Sequence, residues 1–86
     1  MTEDKICFVA VEFVDDLNVK GYFYWYLCEI TGVAVNDKVI APLGRHNNVQ
    51  EGVVRRVLYT EEYNAPYPMH SIKAIRKVIK SGDGNV

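Results

Sequence analysis

Two histidines, two cysteines and a pair of adjacent carboxylates are the residues of this chain best suited to chemistry, and their spacing decides what they can do. His46 and His70 stand 24 positions apart in turn-rich segments, with no HxxxH spacing and no neighbouring cysteine. That pattern does not assemble a metal site. Cys7 and Cys28 form no CxxC unit and lie inside apolar stretches. Buried, reduced thiols that react slowly are the expectation, because apolar surroundings disfavour the thiolate. Asp15-Asp16 reads as a solvated turn pair. Neither GxGxxG, GxxxxGK[ST] nor GxSxG occurs, so no phosphate cradle or nucleophile elbow is signalled. No enzyme, no cofactor and no metal is expected.

What remains is the chemistry of binding. Aromatic residues crowd Tyr22 to Tyr26, and cations recur at Arg45, Arg55, Arg56, Lys73, Arg76 and Lys77. Base stacking together with cations is how single strands are held without reading their sequence. The formal net charge is only −1, but it is unevenly spread. Residues 1–37 carry seven carboxylates against two lysines, and residues 38–86 carry eight Lys and Arg against four carboxylates. The halves are therefore net −5 and net +4, which hints at a basic face.

These side chains must be positioned by strands. "KICFVAVEFV", Lys5 to Val14, is β-branched and aromatic and reads as a strand buried on much of both faces. Tyr22 to Leu27 is a second strand. A Gly-centred turn leads to a third at Lys38 to Ala41, which Pro42 ends or brings to a sheet edge, since it has no N–H to donate. A loop over Gly44 to Gln50 precedes a fourth strand, Gly52 to Tyr59, with Gly52 a bulge or close-approach site. Adjacent strand residues face opposite ways, so Arg55 and Arg56 should not share a patch. Pro66 and Pro68 make "TEEYNAPYPMHS" a loop. A helical turn near Ser71 to Lys73 and a last strand, Ala74 to Ile79, follow.

The expected fold is mainly β: a small closed or half-closed β-barrel of OB- or SH3-like size with at most a short helical turn. One domain covers residues 1–80, and 81–86 form a disordered tail. Val9, Val11, Phe13, Tyr24, Tyr26, Val39, Val53, Val57 and Ile75 are the expected core. No apolar run is long enough to cross a membrane, and the acidic start is unlike a signal peptide, so a cytoplasmic setting is expected.

The order of pieces resembles the N-terminal, 3′-end DNA-binding domain of the PriA-type primosomal helicase, primosomal protein N′. "FVAVEF" matches that family's opening strand, and "YWYLCE" its aromatic strand. "VIAPLGR" matches its Pro-Phe-Gly turn with Leu43 in place of Phe; "EGVVRRV" and "SIKAIRKVI" match its Gly-Val strand and its close. The likeness covers about residues 6–80 and lacks the family's helicase motor. It implies a barrel that binds single-stranded DNA, with the turn at Pro42 and Gly44 as one wall of a nucleotide pocket. Gly44 permits close backbone approach, and Arg45 can neutralise a phosphate. The Asp with which the family contacts the terminal base falls on Trp25, which should lie near the surface beside Gly44. The candidate nucleic-acid-binding residues are Trp25, Pro42, Gly44, Arg45, Arg55 and Lys73. The alternative is a small protein-interaction or structural module that docks a protein partner and binds no nucleic acid.

Overall fold

The computed structural model describes residues 5–79; the expected tail lies outside them. Five antiparallel strands form one sheet: β1 (Ile6–Glu12), β2 (Tyr24–Leu27), β3 (Lys38–Leu43), β4 (Asn48–Thr60) and β5 (Lys77–Ile79). Their order across the sheet is β2-β1-β4-β3-β5. Among the described residues the one helical element is a 3₁₀ turn, Glu62–Asn64, so the fold is mainly β as expected. The turn expected near Ser71 lies slightly earlier, at residues 69–71, where Ser71 and Ile72 both donate to Pro68 O; no helix follows it.

β1 runs between β2 and β4, and its centre, Phe8, Val9, Ala10 and Val11, is completely buried. A strand covered on both faces needs the unbroken apolar run that "FVAV" supplies. One face of the sheet gathers Val9, Val11, Phe13, Tyr26, Val39 and Val54 into a core, to which Ile75 is added from the final segment. Phe13 sits at its centre, edge-on to Tyr26 with ring centroids 6.1 Å apart. Tyr24 and Val57 pack against this core half-buried.

Val53 does not join it. Val11 pairs with Val54, but Ala10 pairs with Arg56, so Arg55 is an extra residue in β4. This β-bulge resets the strand's alternation. Val54 replaces Val53 in the core, Arg55 is drawn to Glu12, and Arg56 is exposed. Gly52 lies just before the bulge, and there the close-approach expectation holds. A Cβ at Gly52 would come within 2.5 Å of Val11 Cγ1 and 3.2 Å of Glu12 O.

The β3–β4 connection is shorter than expected. Gly44 to Asn47 is the whole loop, with φ of +81° at Gly44 and +55° at Asn47. Asn tolerates this left-handed conformation, which returns the chain to the ladder at Asn48 rather than Gly52. Pro42 is accommodated inside β3. Arg76 N–H donates to Ile40 O on the side away from β4, and two residues later the ring of Pro42 faces that same side, beyond the end of β5.

The ladder stops at β2 on one side and at β5 on the other. Residues 73–79 bring the two ends together. Leu27 N–H donates to Lys73 O at 2.8 Å, Ile75 N–H donates to Leu27 O at 2.9 Å, and Arg76 N–H donates to Ile40 O at 2.8 Å. The chain thus passes from the β2 edge to the β3 edge within a few residues. The sheet is not continuous around the core, and the architecture is a half-closed barrel.

Candidate nucleic-acid interface

The gap between β2 and β3 is held by side chains as well as backbone. Tyr26 OH crosses it and donates to Pro42 O at 2.6 Å. Burial raises the Tyr26 phenol pKa well above the usual range, and the neighbouring Tyr67 and Tyr24 add to the shift. The phenol therefore stays protonated and keeps donating. Lys73 Nζ crosses the same gap and donates to Gly44 O at 2.7 Å. That carbonyl also accepts the Asn47 amide at 3.1 Å, so the turn and the lysine fix each other.

Above this seam lies a pocket of about 300 Å³. Tyr24, Trp25, Tyr26 and Tyr67 supply its aromatic surface, and Val19 and Leu43 add apolar surface. Gly44 and Lys73 supply its polar side. Residues from both faces of β2 reach it because it opens at the strand's edge. Leu27 turns its N–H and C=O toward residues 73–75, so by alternation Trp25 turns its own the same way. No backbone partner meets the Trp25 groups among the described residues. A pocket lined by aromatic side chains, with an ammonium and an open peptide edge beside it, can take a planar heterocycle bearing an anion. Gly44 needs glycine for its positive φ, and a Cβ there would meet nothing within 4 Å.

Of the six candidate residues, Trp25, Gly44 and Lys73 line this one pocket. Pro42 is buried beneath it and contributes the carbonyl that Tyr26 uses. Arg45 is exposed next to Gly44 and makes no ion pair among the described residues. Arg55 is elsewhere and already engaged. Its Nε lies 2.9 Å from Glu12 Oε1, and Glu12 Oε2 accepts the Gly21 amide at 3.1 Å. The pair thus ties the β1–β2 connection to the bulge. Sequence reasoning missed Tyr67, Val19 and Ser71. Tyr67 stands between two prolines, a composition that marks a loop but not what the loop covers.

A larger hollow of about 870 Å³ lies within the Glu62–His70 loop. Glu62 is among its lining residues and neither Lys nor Arg is, which suits a phosphate-bearing ligand poorly. Among the described residues, no group of three or more His, Cys, Asp or Glu side chains could hold a metal. No helix among them is long and apolar enough to cross a membrane. Comparisons with family models, curated proteins and solved structures returned no match.

Proposed function

We propose that this domain binds single-stranded nucleic acid, DNA in the first instance, by taking one base into the pocket over the β2–β3 gap. It acts as a binding domain without catalysis, in a cytoplasmic setting related to DNA replication. The observation that carries this reading is the convergence of Trp25, Gly44 and Lys73 on one aromatic pocket. They come from three separated segments, and they coincide with positions marked by the resemblance to the primosomal DNA-binding domain. In this reading Trp25 stacks on the base, Lys73 attracts the phosphate, and Arg45 meets the next phosphate along the strand. An indole cannot copy the hydrogen bonds of the family's Asp, so discrimination between a free and a blocked 3′ end is weaker here.

The test is a titration with a short single-stranded oligonucleotide at low salt. Trp25 is the only tryptophan, so its fluorescence reports the pocket directly, and quenching is expected. Stacking is worth about 1–3 kcal/mol per base, so Trp25→Ala should weaken binding about tenfold or more. Emission that stays constant throughout the titration would remove the reading. The protein-docking alternative draws on Leu17 and Tyr22, which are 85% and 64% exposed in the β1–β2 connection. It is favoured if oligonucleotides leave the emission unchanged.

A further inference from the structure

The two cysteines are 21 positions apart in sequence and side by side in the fold. Phe8 pairs with Leu27 in the β1–β2 ladder, which sets Cys7 opposite Cys28 at its end. Cys28 N–H donates to Cys7 O at 2.9 Å, as in a hydrogen-bonded antiparallel pair. Such pairs hold their Cα atoms about 5.5 Å apart, within the Cα span of disulfides, and their Cβ atoms about 1 Å farther apart than a disulfide does, so closure draws the strand ends together. Directly opposed residues share a face, and both cysteines pack on the core side. Burial raises the Cys7 thiol pKa, and the neighbouring Cys28 adds to the shift while Tyr59 opposes it. Cys28 Sγ reaches Ile30 O at 3.5 Å.

We propose that Cys7 and Cys28 are a dithiol pair that closes to an intramolecular disulfide when a low-molecular-weight disulfide is present. The chemistry is two exchange steps. Cys7 is half-exposed and Cys28 is buried, so Cys7 reacts first. Its proton goes to solvent, and the thiolate attacks one sulfur of the small disulfide. A mixed disulfide forms, and one small thiolate leaves and takes up a proton. Cys28, deprotonated in turn, attacks the Cys7 sulfur and expels the second small thiolate. Two protein thiols are oxidised, and one external disulfide is reduced to two thiols. The raised thiol pKa makes the first step slow, which suits a bond formed under sustained oxidation. Cys28 adjoins Leu27, whose backbone holds Lys73 O and Ile75 N–H. The bond would therefore brace the strand end on which the barrel closure hangs.

The test is incubation of the full chain with oxidised glutathione, followed by acid quench, thiol counting, intact mass and peptide mapping. The expected product is a monomer two hydrogens lighter, with no free thiol and a Cys7–Cys28 cross-link. Its melting temperature should rise by roughly 10 °C, because the bond restricts the unfolded chain. Cys28→Ala should stop at a glutathione adduct on Cys7. A wild-type chain that also stops at that adduct, or that cross-links between molecules, overturns the proposal. So does a chain whose thiols survive conditions that oxidise the same chain unfolded in urea. These measurements on the wild-type chain stand even if the alanine variant does not fold.

Discussion

β1 and β2 are adjacent strands built from the same kind of residues, but they end in different states. β1 has a partner on each side and buries four consecutive side chains completely. Along its outer edge β2 has a single isolated bridge, Leu27 to Ala74. Trp25, two residues earlier, is left half-buried. The difference lies in what satisfies the backbone. Where both edges are paired, side chains can be wholly apolar and the strand becomes core. Where one edge is open, polar backbone remains near the surface, and aromatic side chains with a polar rim gather around it. The candidate site is thus the place where the barrel stops short of closing.

The sharpest contrast should come from truncating one aromatic on each side. Phe13 is fully buried, and Phe13→Ala should cost about 3–5 kcal/mol in urea unfolding. That is a large share of the stability expected of so small a domain. Trp25→Ala should cost far less stability while weakening oligonucleotide binding. Equal losses of stability would show that the pocket is part of the core, and the comparison would fail.

Gly52→Ala probes the β1–β4 interior from the opposite direction. Its new methyl would press on Val11 Cγ1 at 2.5 Å, and overpacking of this kind costs about 1–3 kcal/mol. A variant as stable as the wild type in the same unfolding experiment would mean that the interior is looser than its burial implies.

Tyr26 tests the bond that spans the gap. Tyr26→Phe leaves Pro42 O without its donor, at a cost of about 1–2 kcal/mol. Its pH dependence follows from the raised phenol pKa. The folded state holds this proton more tightly than the unfolded chain does. The contribution is therefore complete below the unfolded value of about 10 and declines as pH rises above it. Melting temperatures of wild type and Tyr26→Phe should converge at alkaline pH. Parallel curves would assign the loss to another group.

The smallest effect separates the two arginines. Arg45 is exposed and unpaired among the described residues, so Arg45→Glu should leave stability unchanged. It should weaken binding to all sequences alike and flatten the salt dependence, by about 0.7 in log–log slope for each single-strand phosphate no longer neutralised. Arg55→Met should instead lower stability and leave that slope intact, because Arg55 is committed to Glu12. Interchanged results would move the phosphate path to the bulge.

Much of the fold is legible from local pattern. The run at Phe8 to Val11 implies a strand covered on both faces, because a polar group there would lose water without gaining a partner. Alternation marks Tyr26, Val39 and Ile75 for burial, and Gly44 marks a turn because its φ is forbidden to most residues. Lys73 and Trp25 stand out by residue type as candidates for binding. Their common pocket is not visible in either segment alone.

Tertiary pairing decided the rest. Whether β4 continues its alternation or slips by one residue depends on how it matches β1, more than forty positions away. Composition around Val53, Val54 and Arg55 is compatible with either register. The same holds for the cysteines, which become neighbours only when Phe8 meets Leu27. The pocket exists because residues 73–79 reach from one sheet edge to the other and leave Trp25 uncovered. The sequence by itself determined which side chains seek the interior and where the backbone can turn, since those preferences are set within a few bonds. Register, the bulge and the unclosed edge belong to the tertiary structure, because each is a balance of interactions between segments that neither segment encodes alone.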